Sequence, residues 1–195
     1  MAVDARSPDK FEAILDAALV LFVERGFHGT AVPQVAKRAG IATGTIYRYF
    51  DSKEALVNAL FRRGKEAIAR RVYTNFPATA PTREQFRAMW HEMAAFALEQ
   101  PKMFAFLELH HHASYLDAES RALENQLKDF AAGIVEGAQA AGVLKVMNPR
   151  LLMELVFGAF TGMMRAHFEK RVELDSTAIE QAERAAWDAI AATQA

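Results

Sequence analysis

The stretch from Thr30 to Lys53 constrains the fold of this chain most, because it predicts two short helices joined by a tight turn. Apolar residues recur at helical spacing along the first of these helices: Val32, Val35, Ala36 and Ala39. Gly40 marks the turn, and in the second helix Ile46 and Phe50 lie one helical turn apart and point inward. Such a pair of helices is typical of a helix-turn-helix motif that docks on duplex DNA.

The outer side of the second helix carries the residues that we expect to meet DNA: Thr43, Gly44, Thr45, Tyr47, Arg48 and Tyr49. Hydroxyl groups and an arginine on one helix face can bind phosphates and base edges. Lys53 begins the following helix, where free N–H groups and the helix dipole favour an anion. Phosphate contacts, which position a protein without reading sequence, are assigned to Thr30, Tyr47, Tyr49 and Lys53. Thr30 is also predicted to cap the first helix of the motif.

The run from Gly40 to Phe50, followed by Ser52 to Leu56, resembles the tetracycline-repressor (TetR) family of bacterial transcription regulators. The similarity extends back through the helix that precedes the motif. Two positions depart from the family pattern. Ala42 stands where the family usually has a serine cap, a loss of about 1 kcal/mol that leaves Thr43 as the substitute cap. Pro33 stands where relatives often carry a long polar residue, which removes one DNA contact.

The resemblance implies an all-α protein with an N-terminal three-helix DNA-binding domain and a larger C-terminal bundle, about nine helices in total. We place the DNA-binding domain at residues 1–53 and the ligand-binding and dimerisation domain at residues 54–195. A fourth helix, at about 52–71, joins them. The resemblance further implies a dimeric repressor that leaves a palindromic DNA operator when a small molecule binds. Without a glycine-rich phosphate loop or a His-Glu-x-x-His pattern, neither an enzyme nor a cofactor is predicted.

Capping residues and apolar periodicity predict further helices and no strand. The predicted capping residues are Ser7, Ser52, Thr82 with Gln85, Asn148, and Ser176–Thr177 with Glu180. After the fourth helix, the predicted ranges are 82–99, a helix from Pro101, 117–142, 149–170 and 176–192.

Composition and charge narrow the class of protein. The absence of cysteine excludes disulfides and thiolate metal sites. Residues 1–73 carry 12 Lys or Arg against 8 Asp or Glu, whereas residues 74–195 carry 11 against 16. A basic end on an acidic body suits DNA binding at that end. No signal-peptide pattern opens the chain and the longest nearly uncharged run is too short for a bilayer, so a cytoplasmic protein outside the membrane is predicted.

Aromatic residues and methionines recur along the later helices at positions that should turn inward. They fit either an ordinary packed core, in which methionine fills gaps, or a cavity for an apolar or aromatic small molecule, which the resemblance implies. One histidine of the run His110-His111-His112 would give that cavity a polar group. The predicted ligand-binding residues are Trp90, Met93, Phe96, Phe104, His110, His111, Phe157 and Phe160.

The same histidines support an alternative from another class, a helical metal-binding protein or metalloenzyme. Glu108 with His111 or His112 is spaced to supply two ligands from one helix face. The three consecutive histidines cannot all face one ion, because consecutive helix positions are about 100° apart. His91 or Glu92 would have to complete such a site.

A stripe of small residues on the eighth helix predicts a dimer interface. Gly158 and Gly162 lie one turn apart, and glycine within a helix costs roughly 1 kcal/mol relative to alanine, so the pair needs a packing reason. The predicted interface residues on the eighth and ninth helices are Gly158, Gly162, Ala166, Ala182, Ala186 and Trp187. Two such helices from each chain would form an isologous four-helix bundle, unless both helices close the subunit's own core.

Overall fold

The computed structural model describes residues 8–109 and 114–192. Within these ranges the chain is all helical, which confirms the predicted fold class; Leu144 and Ala191 form an isolated β-bridge. None of the described helices is long and apolar enough to cross a membrane. The helices are α1 (Pro8–Arg25), α2 (Val32–Ala39), α3 (Thr43–Ile46), α4 (Lys53–Thr74), α5 (Thr82–Glu99), α6 (Pro101–Phe104) with a π-helical turn (Ala105–Leu109), α7 (Ala118–Ala140), α8 (Pro149–Phe168) and α9 (Ser176–Ile190).

The chain divides into two compact units that are not continuous in sequence. The head unit comprises the described residues up to Glu66 together with those from Gln100 to Arg121. The body unit comprises Ala67–Glu99 and the described residues from Ala122 onward. The head therefore contains α6 and the π turn as well as the helix-turn-helix. The predicted boundary between residues 53 and 54 separates DNA binding from ligand binding and dimerisation, and it stays a prediction.

Two helix starts follow the predicted capping chemistry. The Asn148 side chain accepts the backbone N–H of Leu151 at 3.1 Å at the start of α8. The Ser52 hydroxyl accepts the backbone N–H of Ala55 at 3.0 Å at the start of α4. Both caps are confirmed because a side-chain oxygen satisfies a first-turn N–H that has no partner within the helix. The predicted cap of α1, Ser7, lies outside the described residues.

Two other helix starts differ from the predicted ones. Asp175 accepts the backbone N–H of Ala178 at 2.7 Å, so the cap of α9 lies just before the predicted Ser176–Thr177. In α5, Thr82 is the first helical residue, and the Gln85 amide donates to two carbonyl oxygens of the preceding loop at 3.1 and 3.0 Å. That amide holds the loop against the helix and does not complete a capping box.

The core of the head unit combines residues from α1 to α4 with the π turn: Ile14, Leu15, Phe22, Val35, Ile46, Leu56, Leu60 and Phe106. Within the head, α4 lies very close to α6 and the π turn. A Cβ atom added at Gly64 would lie 2.6 Å from the Met103 sulfur and 3.0 Å from a methyl carbon of Leu107. The absence of a side chain at Gly64 therefore permits this close packing.

The core of the body unit consists mainly of large apolar side chains: Phe86, Trp90, Phe96, Leu152, Phe160, Met164, Ile179 and Ile190. Trp90 meets Phe160 edge to face, with 5.2 Å between ring centres, and such pairs add to the stabilisation that burial gives. One carboxylate is buried with them. Glu183 is 2% exposed, and both of its oxygens accept hydrogen bonds from Arg83.

Candidate functional site

The predicted recognition helix is a short element anchored by two buried side chains. Ile46 is 1% exposed and Phe50 is 5% exposed, so the prediction that they point inward is confirmed. Ala42 occupies the N-cap position of α3 with extended backbone geometry and no side-chain hydrogen bond. Thr43 is the first helical residue, so its predicted role as the substitute cap is wrong. α3 is thus held by its core residues rather than by capping.

The other face of α3 and the turn that follows it is open to solvent. Tyr47 is 52% exposed, and Gly44 and Arg48 are also exposed. Thr43 and Thr45 are half-buried, and neither hydroxyl has a hydrogen-bond partner among the described residues. This surface therefore offers hydroxyl groups and a guanidinium in the pattern that the sequence predicts.

Tyr49 belongs only partly to this surface. It is half-buried, and its ring lies 6.3 Å from the ring of Phe11 in α1, measured between centres. Phe11 also stacks on Phe50 at 5.2 Å. The aromatic contact fixes the Tyr49 side chain against α1, which restricts the directions in which its hydroxyl can reach.

Thr30 has a different role from the one predicted. Its side chain is buried, at 1% exposure, and its hydroxyl lies 3.1 Å from the Leu21 carbonyl oxygen and 2.9 Å from that of Gly26, which share its one proton. The N-cap of α2 is Ala31, whose backbone N–H is accepted by the Gln34 side chain at 3.2 Å. Thr30 therefore neither caps α2 nor presents its hydroxyl to a phosphate. It fastens the turn between α1 and α2 to the end of α1.

Lys53 is braced against the same turn. Its ammonium donates to the carbonyl oxygens of Phe27 at 2.7 Å and Thr30 at 3.0 Å, and it lies 4.0 Å from the centre of the Phe27 ring. An ammonium has three N–H donors, and these carbonyls use two of them. The third donor makes no hydrogen bond among the described residues, and the phosphate contact of Lys53 stays a prediction.

The remaining cations of the head unit divide into paired and unpaired ones. Arg62 lies 3.1 Å from Asp117, and Arg63 lies 2.7 Å from Glu12, so these carboxylates neutralise much of the charge along α4. Exposed cations without a carboxylate partner among the described residues include Lys37, Arg38 and Arg48. Lys37 and Arg38, at the end of α2, were not predicted as DNA contacts, although the sequence shows them as two adjacent basic residues shortly before Gly40.

Comparison with known proteins agrees with this geometry. Residues 61–192 match the family model described as "Tetracyclin repressor-like, C-terminal domain", and residues 14–60 match the model "Bacterial regulatory proteins, tetR family". The chain belongs to the TetR family. TetR-family regulators bind DNA, and the relatives of this chain are transcription regulators rather than enzymes.

Two curated relatives of this TetR-family chain match about three quarters of its length. The "Fatty acid metabolism regulator protein" of Bacillus subtilis (strain 168) is 26% identical over 152 residues, which cover 76% of this chain and 78% of the relative. The "HTH-type transcriptional regulator UidR" of Escherichia coli (strain K12) is 28% identical over 163 residues, covering 74% and 76%.

Solved structures extend the likeness to nearly the whole chain. A TetR-family regulator from Marinobacter aquaeolei VT8 has a TM-score of 0.87 and 26% identity, and the match covers 98% of this chain and 100% of that one. FadR from Bacillus subtilis, solved in complex with stearoyl-CoA, has a TM-score of 0.72 and 22% identity, with 91% and 96% covered. At that identity, FadR shows a shared fold only.

In this TetR-family chain, the predicted ligand-binding residues are distributed over both units. Trp90, Phe96 and Phe160 are buried in the body, where Met93 and Phe157 are half-buried. Phe104 is buried in the head, and His110 and His111 lie outside the described residues. The grouping of these residues around one ligand stays a prediction.

Two pockets formed by described residues lie elsewhere. One, of about 310 Å³, is in the body unit, and its walls include Asp129, Glu136 and Arg150. The other, of about 270 Å³, is in the head unit beside Phe11 and Arg63. Neither of these two pockets includes a predicted ligand-binding residue.

The metal-binding alternative is not supported. The Glu108 carboxylate lies 2.7 Å from the Lys65 ammonium, and the Glu92 carboxylate lies 2.7 Å from Arg71. Both acids are thus paired with cations, and the histidine run lies outside the described residues. Among the residues that the structure describes, no group of three metal-ligating side chains is brought together.

The predicted dimer face is only partly exposed. Gly158 and Gly162 are exposed, and a Cβ added at either would meet nothing within 4 Å. On the same helix, Leu151 is 53% exposed and Leu155 is 57% exposed. The subunit's own packing therefore gives no reason for the two glycines, and it leaves two large apolar side chains uncovered.

Ala166, Ala186 and Trp187 were predicted to lie in the dimer interface, and this part of the prediction is wrong. Ala166 and Ala186 are each 9% exposed, so their own subunit covers them. Trp187 is half-buried beside Phe86, at 5.5 Å between ring centres, and beneath the Arg83 guanidinium. Ala182 is also half-buried. The inner face of α9 closes the subunit's core, which leaves its outer face for any partner.

Proposed function

We propose that this chain is a ligand-responsive repressor that binds a palindromic DNA operator as a dimer and is released by an apolar effector. The observation that carries the proposal is the solvent-exposed face of α3 and of the turn that follows it, with Tyr47 and Arg48 outward and Ile46 and Phe50 buried. The family supports DNA binding, and the repressor action, the palindrome and the effector are parts of the proposal.

In this proposal, Thr43, Gly44, Thr45 and Arg48 reach base edges in the major groove, whereas Tyr47, Tyr49 and Lys53 contact phosphates. Lys37 and Arg38 join the phosphate contacts, because the first helix of such a motif crosses the DNA backbone. Base contacts specify sequence, and phosphate contacts position the protein on any duplex. The two classes can therefore be separated by comparing operator with random DNA.

A Lys53→Ala variant is expected to bind all duplexes more weakly by a similar factor and to lower the salt slope of binding by about one ion. A Thr45→Ala variant is expected to lose more affinity on the operator than on random duplex, because its hydroxyl reads a base. The measurement is titration of labelled DNA, with the operator first selected from random sequence, at several salt concentrations. Lys128→Ala, a body-unit lysine paired with Glu124 at 3.1 Å, is the matched control.

Unchanged DNA binding by Lys53→Ala at every salt concentration would show that Lys53 has only a structural role and contacts no phosphate. Equal losses of Thr45→Ala on both duplexes would move Thr45 to the phosphate contacts. Failure of the unmodified protein to select any DNA sequence would defeat the proposed function itself.

For the effector, we propose an apolar ligand that enters the body unit beside Trp90 and carries a hydrogen-bond acceptor. The Trp90 indole nitrogen is buried without a hydrogen-bond partner among the described residues. A buried unpaired donor costs about 1–3 kcal/mol, which an acceptor on the ligand would recover. Met93, Phe96, Phe157 and Phe160, which belong to the same unit, would line the apolar part.

Stearoyl-CoA is the first compound to test, because FadR from Bacillus subtilis was solved with it and a curated relative is a fatty acid metabolism regulator. We expect saturating stearoyl-CoA to weaken operator binding at least about tenfold, since a ligand shifts an equilibrium only by its differential affinity for the two states. Stearate and coenzyme A, tested separately, distinguish recognition of the chain from recognition of the nucleotide.

Trp90→Phe should reduce the response to the active compound while leaving operator binding in its absence unchanged. If none of the three compounds shifts operator binding or the fluorescence of the two tryptophans, the acyl class is excluded. The repressor proposal then stands with another apolar effector.

A further inference from the structure

We propose that Tyr115 is a positioning residue for DNA binding, which holds Phe27 and through it sets the Lys53 ammonium. Tyr115 lies between the π turn and α7, within the stretch that matches the C-terminal family model, yet it belongs to the head unit. The inference rests on the proposed DNA-binding function. It adds a residue far from the helix-turn-helix in sequence.

The contacts form a continuous set, called the Tyr115 cluster here: Phe27, His28, Lys53 and Tyr115. The Tyr115 ring stacks on Phe27 with 4.0 Å between centres and 22° between planes. The Tyr115 hydroxyl lies 2.8 Å from Nε2 of His28. Phe27 in turn supplies a carbonyl acceptor and a ring face to Lys53. Each member of the cluster therefore limits the movement of the next.

Asn58 fixes the backbone from the Tyr115 carbonyl to the Asp117 N–H. This α4 residue is 2% exposed, and its amide nitrogen donates to the Tyr115 carbonyl at 2.8 Å and to the Glu54 carbonyl at 2.8 Å. Its amide oxygen accepts the backbone N–H of Asp117 at 2.9 Å. A buried amide with all these bonds made is rigid, because losing any one leaves a polar group unpaired.

The next turn of chain strengthens this attachment. Asp117 caps α7 by accepting the Ser120 N–H at 2.8 Å, and Arg62 of α4 donates to its carboxylate. Burial acts to raise the pKa of Asp117, but hydrogen bonds from Ser120 and Arg62 outweigh it and hold the pKa below its usual range. The carboxylate thus stays ionised and paired at neutral pH, so the loop that carries Tyr115 is anchored to α4.

The functional consequence is preorganisation of a phosphate contact. Lysine has a long flexible side chain, and ordering it on binding costs conformational entropy. The Tyr115 cluster orders Lys53 before DNA arrives and leaves one of its N–H donors free. Removing the Tyr115 ring takes away the support of Phe27 and leaves Lys53 held by the Thr30 carbonyl, so part of its ordering would have to occur during binding.

The test is a double-mutant cycle between Tyr115 and Lys53. We expect Tyr115→Leu to weaken binding to operator and random duplex alike by about fivefold, as the loss of an aromatic pair and of preorganisation implies. In a Lys53→Ala background the same substitution should change binding by less than about twofold. A purely structural role would lower thermal stability but would give the same loss in both backgrounds.

Further variants keep the result interpretable. Phe27→Leu removes the ring between Tyr115 and Lys53 while keeping the carbonyl, and we expect it to weaken DNA binding by the same factor as Tyr115→Leu. It replaces Tyr115→Leu in the test if the Tyr115→Leu protein folds poorly. Tyr115→Phe keeps the stack and should restore most of the affinity. Tyr73→Leu is the control, since Tyr73 is an exposed body-unit tyrosine in an edge-to-face pair with Phe130 at 4.9 Å.

Wild-type affinity in folded Tyr115→Leu and Phe27→Leu proteins would overturn the inference, as would equal losses with and without Lys53. These outcomes differ from failure of the proposed function. In that case the unmodified protein would bind no duplex, and every variant would be equally inactive.

Discussion

A Gly162→Leu variant is expected to be a folded monomer that no longer binds the palindromic operator tightly. Leu151, Leu155, Gly158 and Gly162 follow one another on the exposed side of α8 at alternating steps of four and three residues. That spacing forms the apolar seam along which two helices pack side by side. A leucine at the glycine stripe would force the helices apart, whereas the subunit itself has nothing within 4 Å of the new Cβ.

The measurement is sedimentation together with operator titration. Two half-sites bound by a linked pair gain an avidity of about 10²–10⁴, so the monomer should lose at least about a hundredfold on the palindrome. Its affinity for an isolated half-site should stay unchanged. Gly137→Leu is the matched control, because Gly137 of α7 is also exposed with open space around its Cβ. A Gly162→Leu protein that remains a dimer and holds the palindrome would place the interface elsewhere.

An Arg83→Ala substitution is expected to lower the free energy of unfolding by about 3 kcal/mol, the usual range for stranding a buried charge. Glu183 is 2% exposed, and Arg83 of α5 donates to both of its oxygens, one of them at 2.8 Å. The Arg83 guanidinium also lies 5.1 Å from the Trp187 ring. Without the guanidinium, α9 would retain a buried carboxylate that has lost its cation.

Urea unfolding followed by circular dichroism measures this effect. Arg87→Ala is the matched control, because Arg87 is exposed one turn further along α5 and has no ion-pair partner among the described residues. Adding Glu183→Leu to Arg83→Ala should recover most of the stability, since an apolar side chain of similar size removes the stranded charge. If Arg83→Ala is as stable as the control, the pair contributes nothing measurable.

Local patterns in the sequence predicted the parts of the fold that local chemistry decides. The caps at Ser52 and Asn148 depend on N–H groups three residues away, and the inward direction of Ile46 and Phe50 depends on helical spacing. The resemblance to the TetR family was likewise visible in a local stretch, from Gly40 to Leu56. The cap of α9 was misplaced because Asp175 and Ser176 are adjacent and both are good caps.

Side chains with distant partners could not be predicted in this way. Lys53 binds carbonyl oxygens of Phe27 and Thr30, and Arg83 binds Glu183, which lies 100 residues later in the chain. A short-range pattern shows that Lys53 begins a helix, but not which carbonyl groups the fold brings to it. The stacking of Tyr115 on Phe27 could not be predicted either, because the fold brings together two residues that are far apart in the sequence.

The interface prediction failed in part for a related reason. An apolar stripe on a helix shows that something covers it, but it does not show whether the cover comes from the same subunit. On α9, Ala186 and Ile190 are covered by their own chain. On α8, Leu155 remains 57% exposed, which is the observation that keeps this helix in the proposal.

The discontinuous head unit limits how this regulator can be re-engineered. The two family models meet between residues 60 and 61, within α4. A splice at that junction would part Asn58 from its hydrogen bonds to Tyr115 and Asp117. A hybrid that keeps these hydrogen bonds therefore needs both segments of the head unit, the one that ends at Glu66 and the one from Gln100 to Arg121.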